Sequence, residues 1–110
     1  MIIAEEIGMK ANDMEKIRMI FRNYSNVEQV ILYGSRAKGN YKTYSDIDIT
    51  LIGTNLNLTL QQKIENDLDD LLLPYKFDVS VFHKIENQDL IAHINQVGKV
   101  VFTKSFSRKE

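Results

Sequence analysis

The stretch LYGSRAKGNYKTYSDIDITL, residues 32–51, interrupts a strand-like pattern in two places. A Gly-Ser pair ends a run rich in Val, Ile, Leu and Tyr, and two aspartates stand among isoleucines. Because side chains alternate along a strand, Asp46 and Asp48 leave the same face, with Cα atoms roughly 6.5–7 Å apart. Two such carboxylates repel each other, and burial makes their charges still more costly. We therefore expect a strand whose carboxylates serve a ligand of opposite charge.

The composition is that of a globular protein. A chain of 110 residues favours one domain, which we place at 1–110, with a core at about 12–103 and a frayed tail at 104–110. Hydrophobic residues make up 44% and charged residues 26%, far from a disordered composition. The absence of cysteine excludes a disulfide framework and a thiolate metal site, and it fits a reducing compartment.

Charge and hydropathy limit the classes of partner and the cellular location that we expect. The net charge of -1 argues against stable nucleic-acid binding through bulk positive charge. The first ten residues, MIIAEEIGMK, carry two glutamates and no basic start, so we expect no signal peptide. No apolar run approaches the roughly 18 residues that a membrane span needs, so we expect no membrane contact and a cytoplasmic location.

Hydrophobic periodicity predicts alternating helices and strands. Helical spacing of apolar residues predicts helices at 12–23, 57–73 and 87–97. Strand patterns occur at 27–33, 46–52, 76–82 and 99–103. Asn12 and Glu15 suit a capping pair, Leu72 extends the apolar stripe of the second helix, and Gly98 suits the end of the third. The predicted fold is an α/β (α+β) domain, a mixed sheet with helices packed on one face and a site open on the other.

Asp78 is the natural third carboxylate. It lies in the predicted strand 76–82, among residues that alternate with apolar Phe77, Val79 and Val81. If this strand pairs beside 46–52, Asp78 converges with Asp46 and Asp48. Carboxylate ligands without His or Cys suit Mg²⁺ or Mn²⁺. Two such ions about 3.5–4 Å apart are what an in-line phosphoryl displacement uses.

The segment GSRAKG, residues 34–39, suits phosphate binding. Gly34 permits a tight turn or a close approach of the backbone to a ligand. Ser35 offers a hydroxyl and can also cap the short helix that SRAK predicts, where free N–H groups favour phosphate. Arg36 and Lys38 add positive charge that would neutralise further phosphate.

Together these residues resemble the nucleotidyltransferase superfamily related to DNA polymerase beta. The shared pattern is Gly34-Ser35, ten intervening residues at 36–45, Asp46 and Asp48, and then Asp78 on another strand. The resemblance covers roughly residues 12–103, and the short chain is similar to the minimal members, the MNT proteins. It implies a single-domain core in which the Gly-Ser pair holds the triphosphate of ATP and the three aspartates hold the metal ions.

The resemblance also implies an activity and a partner. Members of the superfamily transfer a nucleoside monophosphate from a nucleoside triphosphate, and pyrophosphate leaves. Minimal members are typically paired with a HEPN-domain protein. In many such toxin–antitoxin modules, the MNT protein is the antitoxin and adenylylates a tyrosine of the HEPN ribonuclease. On this basis we expect AMP transfer from ATP to a HEPN toxin.

Two other classes of function stay open at this point. The chain could neutralise a partner by contact and use nucleotide only structurally, although retention of all three carboxylates favours an enzyme. It could also act on a small molecule, like the aminoglycoside-modifying relatives, although a short chain leaves little for a substrate pocket. A homodimer also stays open. The two histidines, His83 and His93, are expected to have no part in the site.

Overall fold

The computed structural model describes residues 1–104, which form four strands and four α-helices. In chain order these are α1 (Ala11–Arg22), β1 (Val27–Tyr33), α2 (Ser35–Lys38), β2 (Ile47–Gly53), α3 (Leu58–Asp70), β3 (Phe77–Val81), α4 (Gln88–Val97) and β4 (Lys99–Thr103). Short 3₁₀ turns occur at Ala4–Ile7 and Phe82–Lys84. No helix within 1–104 is long and apolar enough to cross a bilayer.

The four strands form one mixed sheet in the order β3-β2-β1-β4. β1 is antiparallel to both β2 and β4, whereas β2 and β3 run parallel. A parallel pair needs a crossover connection, and α3 supplies it between β2 and β3. This is the mixed-sheet α+β fold that the sequence predicts.

The main core lies between one face of the sheet and helices α1 and α3. Val30 and Leu32 of β1 are fully buried in it, as is Phe21 of α1, while Ile64 and Leu68 of α3 close it from the other helix. The apolar stripes predicted for α1 and α3 are thus the faces that pack on the sheet.

Helix α4 lies on the opposite face of the sheet. Side-chain alternation in β1 turns Ile31 and Tyr33 away from the main core, and these are the residues that α4 reaches. His93 meets the Tyr33 ring edge-on, and a Cβ built on Gly98 would lie 2.7 Å from Ile31 Cγ2. The predicted packing of helices on one face therefore describes α1 and α3, and α4 partly covers the other face.

The local predictions differ from the structure mainly at element ends. Strands 27–33 and 99–103 have the predicted bounds, whereas β2 begins at Ile47 and excludes Asp46. The capping prediction for α1 is wrong: Lys10 is the N-cap residue and makes no side-chain capping bond. Leu72 is also misplaced, because α3 ends before it and leaves it 88% exposed.

The tail prediction can be followed only at its first residue. Lys104 donates its backbone N–H to Glu28 O (2.7 Å), and its ammonium donates to Ser25 O (2.9 Å). Residues 105–110 of the predicted frayed tail lie outside the described residues.

Gly53 at the end of β2 gives a test of the β1–β2 pairing. A Cβ at this position would lie 1.9 Å from the backbone oxygen of Asn26, which cannot rotate aside. We expect Gly53→Ala to lower the free energy of unfolding by about 1–3 kcal/mol in urea denaturation, as overpacking does. The adjacent exposed Thr54→Ala is the control and should change it by less than about 0.5 kcal/mol. Equal effects of the two substitutions would contradict the importance of this close contact to strand pairing.

Candidate active site

Parallel pairing of β2 with β3 brings two of the three predicted carboxylates together. Asp48 is the register partner of Asp78, so their Cα atoms are separated by one strand spacing, about 4.8 Å. Asp46 lies two residues before Asp48, just outside β2. Asp46 and Asp78 are exposed, and Asp48 is half-buried. The pairing that the sequence could state only as a condition is therefore present.

The Gly-Ser turn lies directly against Asp48. Gly34 follows the last residue of β1, Tyr33, which is the antiparallel partner of Asp48. A Cβ built on Gly34 would lie 2.3 Å from Asp48 Oδ2, and the residue has φ +78°, a conformation that L side chains rarely adopt. Glycine is thus required here for two reasons, since both the contact and the backbone conformation exclude a side chain.

The environment of Asp48 favours its protonated form. Burial of the carboxyl, followed by the charges of Asp78 and Asp46, raises the pKa of Asp48 to about 6 from its ordinary value of 3.8. The same face continues inward with Tyr33, whose hydroxyl lies 3.4 Å from Ser80 Oγ. Burial, with smaller contributions from Asp78 and Asp48, also raises the pKa of Tyr33. A cation placed among these carboxylates would relieve their repulsion.

The three carboxylates could supply only some of the ligands of a divalent ion, and other ligands would have to complete its coordination. Within residues 1–104, no three Asp, Glu, His or Cys side chains are gathered tightly enough to hold a metal ion by themselves. Mg²⁺ commonly binds through one or two carboxylates together with substrate phosphates and waters, and so does not need an all-protein cage. The oxygen-only donor set suits Mg²⁺ or Mn²⁺, and metal binding by Asp46, Asp48 and Asp78 stays a prediction.

Ser35 and Lys38 belong to α2, which begins directly after Gly34. Ser35 is the first residue of α2, whose first helical bond runs from Lys38 N–H to Gly34 O (3.1 Å). The Lys38 side chain is exposed, and its ammonium group makes no hydrogen bond or ion pair with the described residues. Both side chains are thus accessible to a ligand, and their phosphate contacts stay a prediction.

Arg36 has a different place from the one expected of a phosphate ligand. Its side chain is 1% exposed, and its guanidinium donates to the backbone oxygens of Ile7 (2.9 Å), Ser45 (3.0 Å) and Thr43 (3.2 Å). It also lies over the rings of Tyr41 and Tyr75, whose centroids are 5.3 and 5.5 Å from Arg36 Cζ.

These contacts correct the role predicted for Arg36. A planar guanidinium with five donors in a fixed geometry can bind more carbonyls at once than the three donors of a lysine ammonium. Because Thr43 and Ser45 closely precede Asp46, Arg36 holds the loop that leads into β2. The structure therefore gives it a scaffolding role within the motif.

The sequence analysis missed His93. Its Nε2 accepts a hydrogen bond from the Gly34 N–H (3.1 Å), although the two residues are 59 positions apart. A lone histidine beside the apolar stripe of a helix carries no local signal of such a contact. His83 is exposed, and the expectation that it has no part in the site stays a prediction.

One cavity of the protein lies away from this site. It has a volume of about 340 Å³ and lies at the other end of β1, between Phe21, Tyr24 and Phe102. Its lining includes no residue of the predicted site. The carboxylates and the Gly-Ser turn instead form an open surface beside α4.

Comparisons of the amino-acid sequence with known proteins show its family. The model of the family described as "Polymerase beta, Nucleotidyltransferase" matches residues 15–107. MJ1547 of Methanocaldococcus jannaschii, which is provisionally named a protein adenylyltransferase, is 34% identical over 86 residues; the match covers 69% of this chain and 70% of that protein.

Solved structures share the fold. A chain in the crystal structure of a toxin–antitoxin with AMP-PNP superposes with a TM-score of 0.68 at 20% identity, covering 83% of this chain and 73% of that chain. A chain in the complex of tri-AMPylated Shewanella oneidensis HEPN toxin with MNT antitoxin gives 0.65 at 19% identity, covering 87% and 74%. At such identities the likeness establishes the fold alone.

The raised pKa of Asp48 predicts a stability effect with a definite sign. The folded state binds the Asp48 proton more tightly than the unfolded chain does. The free energy of unfolding of the protein therefore falls as pH rises from about 4 to 6. Asp48→Asn removes this penalty. We expect the variant to have a higher Tm than the wild type above pH 6, and the difference to vanish below about pH 4.

Thermal denaturation in EDTA across this pH range checks the effect. Glu86→Gln, an exposed change in the loop before α4, is the matched control and should leave the pH dependence unaltered. A lower Tm for Asp48→Asn at pH 7.5 would show that the carboxylate stabilises the free protein.

Proposed function

Because the chain belongs to the polymerase beta nucleotidyltransferase family and is a nucleotidyltransferase, we propose that it transfers AMP from ATP to a tyrosine of a HEPN ribonuclease toxin. In this proposal the chain is the antitoxin and works in the cytoplasm. Covalent modification of the toxin, rather than contact alone, neutralises it.

One observation carries the proposal most directly. Asp48 and Asp78 are register partners on neighbouring strands, and the Gly34 backbone lies against the Asp48 carboxylate. Like charges directly opposite in a sheet are destabilising, and a purely structural sheet has no use for them. A carboxylate with a raised pKa, such as Asp48, beside an open backbone turn is typical of a site that binds charged ligands.

We assign the nucleotide and metal contacts on this geometry. Ser35 and Lys38 would contact the triphosphate at the turn, and Gly34 would allow the phosphates close to the backbone. Asp46, Asp48 and Asp78 would hold Mg²⁺, or Mn²⁺, on the neighbouring strand ends. The bound ion would supply positive charge that offsets the phosphate charge and stabilises the charge that develops during transfer.

The chain's residues would then align the reaction. The acceptor oxygen forms a bond to the α-phosphorus of ATP while the bond from that phosphorus to the bridging oxygen of pyrophosphate breaks, and pyrophosphate leaves. The acceptor proton passes to a carboxylate or to water. Asp46 and Asp78 are exposed and open to a protein substrate, whereas Asp48 is half-buried beneath the turn. Most of the catalytic effect comes from positioning and electrostatics.

The acceptor and the partner rest on the relatives. MJ1547 is provisionally named a protein adenylyltransferase, and two structures of the same fold are complexes of toxins with antitoxins, one of which contains an AMPylated HEPN toxin. The open site surface also supports a large substrate, because a protein acceptor can itself cover the exposed Asp46 and Asp78.

Nucleotide and metal binding should depend on each other. With only carboxylate ligands, Mg²⁺ should bind weakly to the free protein and strongly in the presence of ATP. We expect calorimetry to give at least about tenfold weaker ATP binding in EDTA than in Mg²⁺, and a similar loss for Asp48→Asn in Mg²⁺. The Glu86→Gln control should bind like the wild type. Affinity for ATP that is the same with and without divalent ions would contradict the proposed site.

AMP transfer is tested by mass spectrometry of the partner protein. Purified HEPN partner from the neighbouring reading frame is mixed with ATP, Mg²⁺ and either the wild-type chain or Asp48→Asn. We expect the wild type to add the mass of AMP to the partner and abolish its ribonuclease activity. Asp48→Asn should do neither, because the phosphate charge loses its counter-ion.

Complex formation separates catalysis from contact. Size-exclusion chromatography should show that Asp48→Asn still binds the partner. A partner whose acceptor tyrosine is replaced by phenylalanine should gain no mass. Equal neutralisation by the wild type and Asp48→Asn without an adduct would refute the enzymatic mechanism and support neutralisation by contact.

A further inference from the structure

The Gly34 N–H points toward α4, and a side chain receives it there. Gly34 lies one residue beyond β1, and His93 Nε2 accepts its N–H at 3.1 Å. On the other side of the residue, Gly34 O accepts from Lys38 N–H at 3.1 Å. The glycine that contacts Asp48 is therefore held at both of its polar backbone atoms.

The two bonds differ in origin. The Lys38 bond belongs to α2, which immediately follows the turn, so local chain geometry provides it. The His93 bond comes from a separate helix 59 positions away. A glycine at φ +78° has more backbone freedom than any other residue type, so an anchor on its N–H removes freedom that the turn would otherwise keep.

His93 is itself fixed in place. The next residue, Ile94, is 4% exposed, and the His93 ring meets the Tyr33 ring edge-on at a centroid distance of 6.1 Å and an angle of 82°. Because Nε2 is the acceptor, that nitrogen carries no proton in this arrangement, and the ring is the neutral tautomer with its proton on Nδ1.

We propose that His93 is a positioning residue of the nucleotide site, which acts through the Gly34 N–H to hold the Gly-Ser turn over Asp48. This rests on the proposed function, because the turn is taken to receive the triphosphate. His93 does not touch the reacting atoms. It keeps the peptide between Tyr33 and Gly34 in one orientation. The backbone that follows can then bind the phosphates without a further loss of its conformational freedom.

Two substitutions at one position test the role. His93→Leu keeps an apolar side chain against Tyr33 and removes the acceptor. His93→Gln places a carbonyl oxygen at a similar reach and can accept the same N–H. His83→Leu, an exposed histidine outside the site, is the matched control.

The first measurement needs no activity and no ligand. Amide hydrogen exchange of Gly34, followed by NMR on the free protein, should be about tenfold faster in His93→Leu. It should stay close to the wild-type rate in His93→Gln and His83→Leu. Unchanged exchange in His93→Leu would show that His93 does not hold the turn, and this would overturn the inference.

The second measurement is the Kd for ATP in Mg²⁺. We expect roughly fivefold weaker binding for His93→Leu, the size of one positioned hydrogen bond, and recovery to within about twofold in His93→Gln. A purely structural histidine would instead lower Tm in both variants and leave the Kd unchanged, which would overturn the inference.

The two measurements also distinguish the two proposals. A wild-type protein that binds no ATP would contradict the proposed function and, with it, a role of His93 in nucleotide binding. Normal ATP binding by the wild type together with an unchanged Kd in His93→Leu would contradict only the role of His93.

Discussion

The repulsion between neighbouring carboxylates is the constraint on which the site depends. Parallel pairing sets Asp48 opposite Asp78, and Asp46 lies nearby, just before β2. Half-burial makes the charged form of Asp48 still less favourable and, together with the charges of Asp78 and Asp46, raises its pKa to about 6. A sheet evolved for stability alone would replace such a pair. Its presence fits the general finding that functional sites retain locally unfavourable groups which the rest of the fold stabilises.

The rest of the fold holds the polypeptide around that unfavourable pair. Gly34 brings the backbone within contact of Asp48, and His93 and α2 anchor this glycine at its two polar atoms. Arg36 fixes the loop before Asp46 through backbone oxygens of Thr43 and Ser45. Each anchor acts on the main chain beside a carboxylate, so the carboxylates themselves stay available to a ligand.

Arg36 also shows how a charged residue can be buried with no acidic partner among residues 1–104. Its guanidinium donates to four backbone oxygens and lies over two tyrosine rings. Carbonyl dipoles and aromatic faces thus replace the water that a buried cation loses. Two of those oxygens belong to Ile7 and Gly8, so the N-terminal 3₁₀ turn is joined to the motif loop. The N-terminal segment therefore helps to hold the site although it carries none of its chemistry.

The amino-acid sequence by itself determined the elements and the motif. The periods of apolar residues predicted all four strands and the three longer helices, and SRAK predicted α2, because side-chain periodicity is a local property of the chain. The fold class followed from the alternation of these elements, and the resemblance to the family followed from Gly34-Ser35, the Asp-x-Asp spacing and the later Asp78. Helix ends were predicted less accurately, since capping depends on one or two contacts, as Asn12 and Leu72 show.

Only the tertiary structure decided which groups meet. The register of Asp48 with Asp78, the burial of Arg36 and the bond from Gly34 to His93 each join residues that no local pattern relates. A polar side chain has the same sequence signature whether it faces a ligand, a carbonyl or water. Its partner is set by how strands pair and on which face of the sheet a helix packs, and these are properties of the whole chain.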